Sequence, residues 1–177
     1  MIFRLSQKLN AKIKAGTLRT LPLDENPFAD WSAHLFVADR TQYILLSNTK
    51  SLYSTVMYGK GITDDAHFIE RALSNIREFM QDDGQKFIYQ RFIAPASASV
   101  RFAKALNRSV TGSMNDMTKH AAYDLAEGDV APFEIGTRLN EIPMSALKHD
   151  RSTHGFPRDA FRAMVGSAGN ERPMSDA

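Results

Sequence analysis

The fold class follows from residues 33–47, which read AHLFVADRTQYILLS. Two runs of strand-forming residues, 33–38 and 42–47, flank the polar tripeptide at 39–41, and this spacing is typical of a β-hairpin. Residues 52–58 are again rich in β-branched and aromatic side chains. The pattern therefore predicts an antiparallel meander of three strands.

Two amphipathic helices are predicted beyond this meander. The first begins near Thr63, a preferred N-cap residue, and ends at Gly84. Its apolar residues recur on one face with the period of an α-helix: Phe68, Ile69, Ala72, Leu73, Ile76, Phe79 and Met80. The second helix runs from Met114 to about Ala126, after a turn at Gly112.

Short strands are expected on either side of these elements, at 1–5 and 100–105, and residues 86–93 suggest a further helix. We therefore expect an α+β fold in which an antiparallel sheet of about four to five strands packs against the two main amphipathic helices. A chain of 177 residues suits a single domain. We place this domain at 1–147 and expect 148–177 to form a largely flexible tail, because small, polar and charged residues dominate there.

The composition excludes several classes of protein. The chain has no cysteine, which excludes disulfide frameworks, thiolate metal sites and cysteine nucleophiles and fits a reducing compartment. Arg4 and Lys8 leave no room for an apolar signal core, and no window approaches roughly 18 apolar residues. We therefore expect a cytoplasmic protein that does not enter a membrane.

Positive charge is concentrated in two segments that contain no acidic residue, 1–20 and 85–115. The first segment holds Arg4, Lys8, Lys12, Lys14 and Arg19, and the second holds Lys86, Arg91, Arg101, Lys104 and Arg108. If the two segments lie side by side, they form a positive surface that favours an anionic partner. Segregated charge is also common on proteins without such a partner, so this alternative stays open.

The strand, turn and helix predicted over 100–126 form the candidate site. The start of a helix presents unpaired backbone N–H groups and the positive end of the helix dipole, which together suit an anion. The expected ligand-binding residues are Asn107, Arg108, Ser109, Thr111, Gly112, Ser113 and Asn115, with basic support from Arg4, Arg101 and Lys104. A structural interpretation competes with this one, because Ser113 and Asp116 resemble a capping box and Gly112 makes the turn.

His34 is the candidate catalytic residue. In an alternating strand it shares a face with Phe36 and Ala38, and a histidine there could act as a general base near neutral pH. A core or surface histidine is the simpler interpretation, because no carboxylate or second histidine stands at a spacing that identifies a partner. The five histidines show no metal-binding spacing, and only His149 and His154 lie close together, in the expected tail. We expect no metal and no cofactor.

Three segments resemble a known bacterial family: NRSVTGSMND at 107–116, WSAHLFVADR at 31–40 and YILLSN at 43–48. On these motifs the chain is similar to the family catalogued as domain of unknown function 6933, over residues 1–126. The resemblance implies a grouping, and it implies no activity, substrate or catalytic residue.

The leading functional hypothesis is a non-enzymatic binding domain that recognises an anionic partner, a nucleotide or a nucleic acid, through Arg108 and the turn at Gly112. A metal-independent nuclease or other phosphoryl-transfer enzyme is the alternative, with His34 as the base and Arg108 stabilising the transition state. A third hypothesis is a protein-binding, antitoxin-like module, which would present an exposed apolar patch. The sequence indicates no oligomeric state.

Overall fold

The computed structural model describes residues 1–128, 130–148 and 154–168, which form an α+β fold around one five-stranded sheet. The strands are β1 (Ile2–Leu5), β2 (Asp30–Ala38), β3 (Thr41–Asn48), β4 (Ser54–Tyr58) and β5 (Arg101–Ala103). Their order across the sheet is β4, β3, β2, β1, β5. The sheet therefore ends in β4 on one side and in β5 on the other.

Six α-helices lie within the described residues. They are α1 (Gln7–Ile13), α2 (Asp65–Asp82), α3 (Lys86–Ile88), α4 (Arg108–Glu127), α5 (Pro132–Leu139) and α6 (Pro157–Ala168). The short α3 continues as a π-helical turn, Tyr89–Ile93. Within the described ranges, none of these helices combines the length and apolar character needed to cross a membrane.

The predicted meander is confirmed, but the prediction of a purely antiparallel sheet is wrong. β2, β3 and β4 pair antiparallel, whereas β1 pairs parallel with both β2 and β5. The chain leaves β1 through α1 and a long loop before it returns as β2, and this crossover makes the two strands parallel. Hairpin spacing is visible in a sequence, whereas the direction of a strand that pairs across a crossover is not.

Helices cover the sheet on both faces. Phe3, Trp31 and Leu46 lie on the face that packs against α1, α2 and α6. Leu45 and Val56 lie on the opposite face, which packs against α4 and α5. Alternating residues of β2, β3 and β4 therefore enter two separate hydrophobic cores.

The predicted core stripe of α2 is confirmed, and its end at Gly84 is confirmed as well. Phe68, Ala72, Ile76, Phe79 and Met80 are all buried. Gly84 has a positive φ of 73°, and the N–H of Gln85 donates to the carbonyl of Met80, which closes the last turn. The N-cap is Asp64, one residue beyond the predicted Thr63, and its carboxylate accepts from the backbone N–H of His67.

The packed core extends beyond the predicted domain boundary at residue 147. Phe161 of α6 is fully buried, with its ring stacked on Tyr53 at a centroid distance of 4.4 Å. Arg158 at the start of α6 contacts the carboxylates of Asp83 at 3.0 Å and Glu141 at 2.9 Å. α6 is therefore part of the fold, and the rest of the predicted tail, 149–153 and 169–177, lies outside the described residues.

Candidate functional site

The helix at the candidate site begins earlier than predicted. Asn107 is the N-cap of α4, and its side-chain oxygen accepts from the backbone N–H of Val110 at 2.9 Å. The predicted turn at Gly112 and the predicted cap at Ser113 are therefore wrong, because both residues lie inside the helix. The reason is that one glycine costs a helix only about 1 kcal/mol, which the burial of apolar residues on both sides of Gly112 can offset.

The predicted ligand-binding residues are distributed around α4. At about 100° per residue, Arg108, Gly112 and Asn115 fall within about 60° of one another, and all three are exposed. Ser113 points the other way and is only 8% exposed, next to the core residue Met114. The structure brings together three residues of the predicted set and separates Ser113 from them.

The remaining predicted residues of this segment lie at the first turn of α4. Asn107 caps the helix, and Thr111 donates its hydroxyl hydrogen to the carbonyl of Asn107 at 3.0 Å. Ser109 is exposed beside Arg108. Asn107 and Thr111 therefore have structural roles, whereas Arg108 has no acidic partner among the described residues, and Asp116 pairs with Lys119 instead.

Arg4 cannot give the basic support that the sequence predicted, because its guanidinium is buried and its donors are used inside the protein. Its side chain is 1% exposed and binds both carboxylate oxygens of Asp30, at 2.8 and 2.7 Å. The other donors reach the carbonyls of Leu21, Pro22 and Lys104 at 3.0, 2.7 and 3.3 Å. All five N–H groups of an arginine are thereby satisfied, so Arg4 links β1, β2 and two connecting loops.

The two acid-free segments lie side by side at the β5 edge of the sheet. Ile2 pairs with Arg101, and Arg19 forms an isolated bridge with Ala103. The backbone N–H of Lys104 donates to the carbonyl of Arg19 at 2.9 Å. Three exposed cations, Arg19, Arg101 and Lys104, lie together here, and exposed Arg108 follows Lys104 by four residues at the start of α4. We call these four residues the basic edge.

One acidic residue contacts the basic edge. The carboxylate of Asp24 lies 3.7 Å from the guanidinium of Arg101, whose side chain is still 59% exposed. Arg19, Lys104 and Arg108 form no salt bridge with any described residue. The charge of the basic edge is therefore largely available to a partner.

His34 lies on the face of β2 that packs toward α4, as its alternation with Phe36 predicted. Burial lowers the pKa of His34 below its ordinary value, since no nearby charge compensates for the loss of water. Its ring forms no hydrogen bond with another described residue, so no carboxylate orients it. Its strand partner in β3 is the apolar Leu45. Among the described residues, no side chain therefore fixes the tautomer or the direction of the His34 ring.

The described residues contain no cluster of three or more histidine or acidic side chains that could hold a metal ion. His154 is exposed, and His149 lies outside the described residues. A metal site would need several such ligands around one point.

Two grooves on the surface were not predicted from the sequence. One, of about 350 Å³, lies between residues 56–58 of β4, the outer face of α2 and residues 131–133. The other, of about 260 Å³, lies between residues 116–120 of α4 and residues 142–145, with His154 at its side. Neither is lined by Arg108. No local motif marks these grooves, because each is formed by segments that are far apart in the sequence.

A family model described as Domain of unknown function (DUF6933) matches residues 2–160. Comparison with curated proteins finds no match, and comparison with solved structures finds none either.

Proposed function

We propose that this chain, which belongs to the family described as domain of unknown function DUF6933, is a non-enzymatic binding domain for a nucleic acid. The observation that carries the proposal is the basic edge, where Arg19, Arg101 and Lys104 are exposed together at one side of the sheet and exposed Arg108 follows at the start of α4. Lysine and arginine side chains that neutralise phosphates supply most of the sequence-independent affinity for nucleic acids.

The shape of this surface favours an extended polyanion over a free nucleotide. Small ligands bind in concave sites that bury most of their surface. Arg108 stands on the outside of α4 and lines neither of the two grooves. Cations spaced along a sheet edge and the start of a helix suit a chain of phosphates, whose positions repeat along a strand.

Gly112 gives a second argument for a nucleic-acid surface beside Arg108. It lies in the middle of the sequence of α4 but is exposed to solvent, and a Cβ atom added there would meet nothing within 4 Å. An interior helix position with glycine is about 0.5–1 kcal/mol less stable than with alanine, and nothing inside the protein requires glycine at 112. A partner whose backbone approaches the helix closely would explain this cost, and Arg108 and Asn115 lie on the same side of the helix.

The test is the salt dependence of binding to a labelled DNA duplex of about 20 base pairs and to a single-stranded RNA of similar length. We expect affinity to fall steeply with salt. Arg108→Gln and Lys104→Gln should each weaken binding by about threefold to tenfold at low salt and reduce the slope of log K against log salt by about one. Lys60→Gln is the matched control, because Lys60 is exposed and follows β4, at the other side of the sheet.

The proposal fails if neither probe binds, if affinity is independent of salt, or if Lys60→Gln weakens binding as much as Arg108→Gln. Cleavage of either probe that disappears in His34→Ala would favour the phosphoryl-transfer alternative instead.

Gly112→Ala separates stability from binding. The variant should be more stable by about 0.5–1 kcal/mol in urea unfolding and should bind the nucleic acid more weakly, because the added methyl group stands between the helix and the partner. Gly166→Ala in α6 is the control, since a Cβ atom at 166 also meets nothing within 4 Å. It should leave binding unchanged, and equal binding by the two variants would remove Gly112 from the proposed surface.

A further inference from the structure

Four exposed residues form a stripe along the outer side of α4. They are Arg108, Gly112, Asn115 and Lys119, and their spacings of four, three and four residues place them within about 60° of one another around the helix axis. The stripe is about 16 Å long, because each residue of an α-helix adds about 1.5 Å. We call these four residues the α4 stripe.

The other side of α4 packs against the sheet. Met114, Met117 and Ala121 are buried there, in the core that α4 shares with α5. On a helix with about 100° between successive residues, these three lie roughly opposite the α4 stripe. The α4 stripe therefore points away from the sheet, and each of its residues is exposed in the described chain.

The polar side chains of the α4 stripe have few partners within the described protein. The hydroxyl of Thr118 donates to the backbone carbonyl of Asn115 at 2.8 Å, whereas the side-chain amide of Asn115 pairs with no described residue. The guanidinium of Arg108 also has no described partner. Lys119 contacts the carboxylate of Asp116 at 3.3 Å, and both side chains are exposed. Exposed ion pairs contribute little to stability, so Lys119 can exchange this partner for a phosphate.

The residue types of the α4 stripe suit a close approach to DNA bases. Asparagine and glycine are both poor helix formers, and at exposed positions the core does not require them. Because Gly112 has no side chain, a partner can approach the helix backbone between Arg108 and Asn115. The side-chain amide of asparagine presents a donor and an acceptor in one plane, which match the N7 and N6 groups of adenine in the major groove.

We propose that the α4 stripe enters the major groove of duplex DNA, with Asn115 at the base edges and with Arg108 and Lys119 on the phosphates. This inference rests on the proposed nucleic-acid function and names the class of nucleic acid. The major groove of B-form DNA is about 12 Å wide and admits an α-helix, whereas the major groove of an RNA duplex is too narrow. Arg108 and Lys119 stand at the two ends of the stripe, so their long side chains can reach phosphates on either side of the groove.

The basic edge and the α4 stripe share Arg108 and have different roles in this complex. Lys104 stands four residues before Arg108, and Arg101 and Arg19 lie beyond it at β5. These cations contact the DNA backbone beside the groove, and such contacts position a protein without reading the sequence. Asn115 is the residue that reads a base.

The first test changes the nucleic acid and leaves the protein untouched. The affinity of the whole chain is measured for one sequence of about 20 base pairs as duplex DNA, as duplex RNA and as each single strand. We expect duplex DNA to bind at least about tenfold more tightly than the other forms. Glucosylated 5-hydroxymethylcytosine in place of cytosine fills the major groove and should lower the affinity at least about tenfold, whereas netropsin, which occupies the minor groove, should not displace the protein.

The second test concerns the role of Asn115. Selection from a pool of randomised DNA duplexes should enrich adenine at one position. Asn115→Ala should remove this preference and weaken binding of the selected duplex at least about fivefold, and alanine is the better helix former, so the variant should fold. His120→Ala is the matched control, because His120 is exposed about 140° away around the same helix.

Three results would overturn this inference while leaving the basic edge as a nucleic-acid surface. They are equal affinity for duplex DNA and the other forms, unchanged binding of the glucosylated duplex, and equal loss in Asn115→Ala and His120→Ala. Absence of binding to every probe would instead remove the proposed nucleic-acid function, and this inference with it.

Discussion

Replacement of Arg4 by methionine should destabilise the protein severely. Arg4→Met keeps an unbranched side chain and removes all five donors. The carboxylate of Asp30, itself fully buried, would keep the backbone N–H of Asp24 as its partner, at 3.0 Å. Removal of one partner from a buried ion pair costs about 3–5 kcal/mol, and the carbonyls of Leu21 and Pro22 would lose a donor as well. Since domains are stable by only about 5–15 kcal/mol, much of the fold's stability would be lost.

Urea unfolding, followed by the fluorescence of Trp31, measures this loss, because Trp31 is fully buried and is the single tryptophan. Arg101→Met removes the same charge from an exposed side chain and should change stability by less than about 0.5 kcal/mol. The double variant Arg4→Met/Asp30→Leu should lose less unfolding free energy than the two single variants together, because it leaves no buried charge unpaired. An Arg4→Met protein within about 1 kcal/mol of the wild type would refute the structural role assigned to this pair.

Two further predictions concern α6 and His34. Phe161→Ala should cost about 3–5 kcal/mol of unfolding free energy because the ring is fully buried. Phe156→Ala, at an exposed position of the same segment, should cost less than about 0.5 kcal/mol. Similar urea midpoints for the two variants would contradict the packing of α6 against the core. Because the pKa of His34 is lowered in the folded protein, the unfolded chain is protonated at this histidine at a higher pH than the folded chain. The contribution of His34 to stability is therefore intact above the unfolded pKa and is lost as the pH falls below it, toward the folded pKa. Urea unfolding between about pH 7.5 and 5 should show a weaker pH dependence for His34→Gln than for the wild type, and identical profiles would rule out a depressed pKa.

The burial of Arg4 is the largest departure of the structure from what the sequence predicts. Charged side chains are rarely buried, so the sequence pattern places Arg4 on the surface with the other cations of its segment. Its burial depends on Asp30 and on three carbonyl groups that the fold brings to one place. The difference at Gly112 has a local cause. A glycine followed by Ser113 is typical of a helix start, but Asn107, six residues earlier, is an equally good N-cap.

The sequence alone determined the elements whose evidence lies within a few residues. The hairpin of β2 and β3, the buried face of α2 and its end at Gly84 follow from side-chain periodicity and turn chemistry, and both act over short distances along the chain. The two acid-free segments can likewise be read directly from the sequence. The sequence does not show that these segments lie side by side, which follows from the pairing of β1 with β5.

Only the tertiary structure decided which strands run parallel, which cation is buried and where the grooves lie. The parallel pairing of β1, the hydrogen bonds of Arg4 and the groove between β4 and α2 all bring together residues that are distant in sequence. Their energies arise from desolvation and from hydrogen bonds formed across the fold, and these depend on the final position of every partner. A local pattern carries no information on such positions, and for this reason the basic edge could be anticipated from charge whereas the groove between β4 and α2 could not.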